Sequence, residues 1–447
     1  MAESSTDRFL ELKRRALVAR ARRLVRLTPE AVGLRPQDLR YAPSPAHFAA
    51  AQRRLSAIDR SIRARLARLD RLVRGPEPRS REDVLLAMAM VEREVDRARR
   101  AFGMFFEIFA QRGTAFAPSL AAHDAIAVDC YRAVRAGLPG EFAGPILAPL
   151  TYLEHGYSPA TMRRGVSLAR LLGEPNPFPL IRIPYDRDQP WQAVFLHEVA
   201  HNLMADLRVW QETREAVIVR LHEAWLPLRV VAIYGRWHKE IFADLAALLR
   251  GGPAVAYGMA EFLAHPSDQV MTYRPGGPHP VGYLRVLLLA EMLRRMEFAH
   301  EAEDLASIWR TLYDPRRGHR IPPELLATRA RAIPAVVDEI AFQPRRNLAQ
   351  RALASVIRFT AEDQRAIRRA AFDLAAGMPA TDVPPRHLPA ACRYALNAGA
   401  DSRRLGFLVT ELLAASGTGW PAERLAPARS PPPRTATPRS EPLALAA

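Results

Sequence analysis

Apolar residues recur at three-four spacing along two long stretches near the N-terminus: Leu55, Ile58, Ile62, Leu66, Leu69 and Val73, then Val84, Met88, Val91, Val95, Ala98, Phe102, Phe105 and Phe109. This spacing gathers one stripe on one face of a helix, and each stripe can leave water only by packing on another element. The break at Gly75-Pro76-Glu77-Pro78 interrupts both helix and stripe, so an antiparallel helical hairpin over about 47–112 is expected. Ser80, with Asp83 three residues on, predicts the cap that opens the second helix. Ahead of the hairpin, Leu10, Leu17 and Leu24 alternate with Lys13, Arg14, Arg15, Arg20, Arg22, Arg23 and Arg26. Such a basic amphipathic helix can make peripheral contact with an anionic surface, or it can dock on the body with its basic face in water. Docking is the expectation.

From about residue 140 the texture changes to shorter helices separated by Pro- and Gly-containing turns. Leu180-Ile181-Arg182-Ile183-Pro184 is the one convincing strand pattern. Helical patterns then run from Gln189 to about Ser416, broken by the loop from Pro266 to Pro280 and by turns near Pro315 and Pro322. From Gly417 onward, around Ser430-Pro431-Pro432-Pro433, the apolar content is too low to offset the entropy of ordering. No internal repeat is visible. The chain is expected to be mainly α with a small β-sheet.

A formal charge of +17 and a pI near 10.7 would suit a nucleic-acid partner, yet almost all of it is arginine, with Lys13 and Lys239 the only lysines. A compositional bias of that kind spreads charge over the whole surface, and no dedicated nucleic-acid site is expected. Cys130 and Cys392 stand far apart in apolar helical patterns and match no metal or redox spacing. The N-terminus lacks an apolar h-region, and no run of about 18 uncharged apolar residues occurs, so neither secretion nor a transmembrane segment is expected and the cytoplasm is the expected location.

The chemistry is concentrated in His197-Glu198-Val199-Ala200-His201, set in the apolar segment Trp191 to Met204. Asp188 and Pro190 are placed to cap and open a helix there. On a helix, residues four apart share a face, so both imidazoles can converge on one zinc ion. Glu198, one step round, projects beside the ion and can take a proton from a water that zinc has acidified.

A catalytic zinc site has three protein ligands and an open position. Met204 and Leu207 stand where a metzincin would carry its glycine and third histidine. Downstream, Glu240-Ile241-Phe242-Ala243-Asp244 places two carboxylates on one face of an apolar helix, a costly arrangement unless a cation compensates it. Glu240 is the best third ligand, with Asp244 accepting the free ring N–H of a ligand histidine. Glu223 and Glu215 compete for the same role.

H-E-x-x-H, then E-x-x-A-D, then His279-Pro280-Val281-Gly282-Tyr283-Leu284-Arg285 together resemble the gluzincin metallopeptidases of the CAAX prenyl protease and HtpX-like group, over roughly residues 178 to 296. The resemblance implies that Glu240 is the third zinc ligand, that Asp244 supports the ligand set, and that His279 and Arg285 lie near the site, His279 assisting the oxyanion. It further implies that the strand at Leu180 to Pro184 is the edge against which an extended peptide aligns. The chain departs from that group in lacking membrane-spanning patterns and in its long helical N-terminal region. The expected organisation is therefore a helical region over 1–139, a zincin-like catalytic domain over 140–300, a helical region over 301–416 and a disordered Pro-rich tail over 417–447. The expected activity is zinc-dependent hydrolysis of a peptide or protein substrate, with one Zn²⁺ per chain. The alternative is a helical scaffold or interaction protein whose zincin-like domain is inactive.

Overall fold

The computed structural model describes residues 5–23, 26–74, 80–138, 147–155, 160–164, 167–168, 174–184, 189 and 192–415. It is mainly helical with a small sheet, as the periodicity requires. The hairpin consists of α2 (Pro45–Arg74) and α3 (Arg81–Ala110), preceded by α1 (Ser5–Arg22). Phe48 meets Phe109 edge-on, with ring centroids 4.6 Å apart, and Arg65 approaches Glu94 at 3.4 Å, so the two helices run antiparallel. Ser80 caps α3 as expected, accepting from the Asp83 N–H at 3.1 Å. The Gly-Pro break at 75–79 and the tail from Gly417 lie outside the described residues.

The N-terminal helix is docked. Leu17 is fully buried, Arg14 reaches Asp70 at 2.7 Å, and Arg20 pairs with Glu92. These three elements enclose a core around Phe105, Phe109 and Phe178, while Arg22, Arg23 and Arg26 face water.

α4 (Ala117–Gly137) belongs with the second, larger core, although sequence texture groups it with the N-terminal region. A buried ion pair joins the two. Arg112, at the end of the hairpin, meets Asp124 of α4 at 2.8 Å and donates to the Thr151 carbonyl at 2.7 Å. Asp124 in turn accepts from the Thr151 N–H at 2.8 Å and its hydroxyl at 2.7 Å, seating the first strand on α4.

Strands β1 (Leu150–Leu153), β2 (Ala160–Met162) and β5 (Leu180–Ile183) form a sheet of order β1-β5-β2, and β3 (Ser167–Leu168) pairs with β4 (Glu174–Pro175) alone. β1 is parallel to β5, with Leu150 opposite Leu180; β2 is antiparallel to it, with Thr161 opposite Ile181. The expectation that Leu180 to Pro184 forms an edge is thus overturned. Leu180, Ile181 and Ile183 are buried, and both backbone edges of β5 are in ladders, so it is the central strand, with Arg182 its one charged residue. The edges belong to β1 and β2.

Beyond the sheet come α5 (Ala193–Asp206), α6 (Trp210–Glu223), α7 (Leu228–Leu263), α8 (Ser267–Val270), α9 (Gly282–Arg295), α10 (Ala299–Leu312), α11 (Pro323–Val337), α12 (Leu353–Val356), α13 (Ala361–Ala375), α14 (Leu388–Asn397) and α15 (Ser402–Ala415). One apolar core runs through them without a break near residue 300. α5 begins at Ala193, with Gln192 as its N-cap and no side-chain cap bond; Asp188 and Pro190, the expected cap and first turn, lie outside the described residues. α7 is bent at Gly252 (φ 56°, ψ −143°), followed by Pro253. Positive φ there suits only glycine, and a Cβ would run into the Phe359 ring. Among the described residues no helix is long and apolar enough to cross a membrane.

Candidate metal centre

The apolar face of α5 packs on α7, and that packing brings the polar residues of both helices together. Nε2 of His201 lies 3.0 Å from Nε2 of His197. Glu240 faces both rings, with Oε2 3.3 Å from His197 Nε2 and Oε1 3.4 Å from His201 Nε2. Four-coordinate zinc with bonds of about 2.0–2.1 Å sets its ligand atoms about 3.3–3.4 Å apart, so the trio has the spacing of three corners of such a site. Among the described residues this is the one group of three with metal-ligand geometry. Glu215 and Glu223, the competing carboxylates on α6, are not part of it.

The supporting contacts fix which atoms face inward. Nδ1 of His197 is 2.8 Å from Asp244 Oδ1, and since a carboxylate can only accept, Nδ1 carries the hydrogen. In the neutral ring the Nε2 lone pair is then turned toward Glu240 and His201. Asp244 is held in turn by Arg285, whose Nε donates to Oδ2 at 2.6 Å and Nη2 to Oδ1 at 2.8 Å. His279, from the loop before α9, brings Nε2 within 3.3 Å of Glu240 Oε2 while its side chain stays largely exposed. Glu198 is 8 % exposed and lines the same cavity, of about 410 Å³, as the three ligand candidates, His279 and Arg285.

Electrostatics favours a cation. Burial alone would push His197 down, yet the Asp244 carboxylate, charge and hydrogen bond together, with help from Glu240, raises it to about 9. Burial likewise opposes ionisation of Glu240, but the hydrogen bonds from His197 and His201 hold it far below the usual carboxylate range. Asp244 is desolvated and still lowered, chiefly by Arg285. Three buried acidic side chains, Glu198, Glu240 and Asp244, gather at the site, and the buried Arg285 guanidinium is engaged by Asp244. Glu240 Oε2 is also buried without a hydrogen bond of acceptable geometry. A divalent cation bound by the two imidazoles and Glu240 would take up that oxygen, so the donor set fits zinc.

Every sequence-chosen residue is therefore in one place: His197, His201 and Glu240 converge, Asp244 and Arg285 back them, and Glu198 and His279 border the cavity. Sequence reasoning missed Thr161, whose hydroxyl donates to the Glu198 carbonyl at 2.9 Å and ties the β2 edge to α5. It also missed Arg163 and Lys239 at the cavity wall. A three-residue strand shows no alternation to read, but a lysine beside the ligand carboxylate in a chain almost without lysine was a usable signal. No protein-family model, curated protein or solved structure matches the chain.

Proposed function

We propose that this protein is a zinc-dependent peptide hydrolase of the gluzincin type, with the scaffold alternative set aside. The observation that carries the reading is the convergence of His197, His201 and Glu240 at zinc-ligand spacing beside a free-standing carboxylate, Glu198, in an accessible cavity. A zinc ion held by these three groups would supply Lewis acidity, polarising the scissile carbonyl and acidifying water. Glu198 takes a proton from the attacking water as its oxygen bonds to the carbonyl carbon, and delivers that proton to the departing amine nitrogen when the C–N bond breaks. His279 lines the same cavity from the loop before α9 and, with Nε2 protonated, donates a hydrogen bond to the developing oxyanion. Asp244 and Arg285 keep the His197 tautomer fixed throughout.

The test is metal analysis of the purified wild type beside His201→Ala, with hydrolysis of an unfolded casein-type protein measured on the same samples. The reading requires one zinc per wild-type chain, loss of metal in the variant and loss of hydrolysis with it. Wild type that carries no stoichiometric zinc, and is indifferent to a chelator, would put the scaffold alternative in its place.

A further inference from the structure

Building on that reading, we propose that the cavity selects peptides with an acidic side chain on one side of the scissile bond and an apolar side chain on the other. The cavity is chemically two-ended. α5 and α7 run antiparallel through the site, because His197 meets Asp244 at 2.8 Å whereas His201, four residues later, meets Glu240 at 3.4 Å. Val194, three residues before His197 and about 4.5 Å back along the helix, therefore marks one end. Lys239, the residue before Glu240, marks the other.

β2 follows α5 in the same direction. Thr161 Oγ1 donates to the carbonyl of Glu198, and Arg164 Nη2 reaches Asp206 Oδ1 at 2.8 Å near the C-terminus of α5. Arg163 is thereby carried to the Lys239 end, and both side chains line the cavity. The Lys239 ammonium is steadied 4.5 Å over the Trp210 ring. Among the described residues neither cation has a carboxylate in ion-pair reach; the Glu240 oxygens are turned to His197, His201 and His279.

At the far end the wall is Val194, Met259 and Phe262. Val194 and Phe262 also border a second cavity of about 340 Å³, lined further by Val255, Leu396 and the Glu261–Arg393 ion pair. Two cations without a carboxylate partner among the described residues at one end, and the apolar wall of Val194, Met259 and Phe262 at the other, form complementary subsites for an acidic and an apolar residue.

The experiment uses full-length Glu198→Gln protein, in which loss of the general base should slow turnover by about 10²–10⁴, with and without zinc. Fluorescein-labelled peptides are compared by anisotropy at low ionic strength: one pair carries Glu and Phe flanking the central bond, in both orders, and a matched pair carries Lys in place of Glu. A Glu peptide should bind about tenfold more tightly than its Lys counterpart. Adding Arg163→Glu should reverse that preference, and adding Lys239→Met, which keeps a stem over Trp210, should reduce it, with thermal melts confirming that each variant is folded. Equal affinities, no binding by any peptide, or a preference unmoved by Arg163→Glu would overturn the proposal. Zinc-loaded wild type separates it from the reading beneath it: cleavage without charge preference sinks the subsite alone, whereas charge-selective binding without cleavage sinks the peptidase alone.

Discussion

Asp244 Oδ1 lies 2.8 Å from His197 Nδ1 and 2.8 Å from Arg285 Nη2, so one buried carboxylate sets the tautomer of a candidate metal ligand and is itself anchored by a guanidinium from a third helix. Replacing such a partner typically costs about 10–100-fold in metal affinity. Asp244→Asn should therefore weaken zinc binding by that order, measured by competition with a chelator of known affinity. An unchanged zinc affinity in a folded Asp244→Asn protein would show that the contact is structural only.

Ligand identity is tested by contrast. Glu240→Ala should strip most of the zinc from the purified protein, while Glu223→Ala, which removes a carboxylate from α6 outside the cluster, should retain one equivalent. The reverse ranking, by elemental analysis, would refute the ligand set.

The site was more legible in the sequence than the fold around it, for a physical reason. His197, Glu198 and His201 must sit four or fewer residues apart on one helix, and Glu240 with Asp244 repeats that spacing, so their geometry is written locally. What brings α5 against α7, α4 against α15 and β2 beside α5 is non-local packing, which periodicity does not encode. The strand pattern at Leu180–Ile183 is readable from its β-branched and apolar residues, but its central place is set by pairing with β1 and β2, which join segments far apart in sequence. α4 reads with the hairpin because both are helical; what assigns it to the larger core is apolar packing against α15 and α5, which lie far from it in sequence.

Acid should destabilise the protein through its buried histidines. His47 and His123 are buried, and desolvation lowers each from 6.5 to about 4. Between these values the unfolded chain binds protons that the folded one refuses, so this contribution is intact above about pH 6.5 and is lost as the pH falls towards 4. Each histidine contributes on the order of 3 kcal/mol across the full window. Urea midpoints of chelator-treated protein should fall steadily from pH 7 to pH 4.5, and the His47→Gln/His123→Gln double variant should show a shallower slope. An identical slope would show that other groups govern the acid response.

Gly252 lets α7 bend, and the residues after the bend, Met259 and Phe262, complete the cavity wall. Gly252→Ala must place a Cβ at positive φ and against the Phe359 ring, a strain expected to exceed about 1 kcal/mol. Its melting temperature should drop, whereas Gly276→Ala, also at positive φ but in open space, should cost less. Equal losses would mean that the backbone conformation alone, and not the Phe359 contact, sets the penalty.

Glu198→Gln separates the fold from the chemistry. The amide keeps the shape of the carboxylate and most of its hydrogen-bonding capacity, and the zinc-ligand trio does not include Glu198, so metal content and melting behaviour should stay near those of wild type. What the variant loses is the ability to accept a proton from attacking water. General-base assistance is worth about 10²–10⁴ in rate, and because this base also generates the nucleophile the loss should fall toward the upper end. The comparison is made at matched zinc content, on unfolded casein or a peptide library, with turnover and substrate binding measured separately. A large drop in turnover with binding retained assigns the proton transfer to Glu198. Equal turnover in both proteins would remove Glu198 from the mechanism and return the role of base to a residue outside the H-E-x-x-H helix.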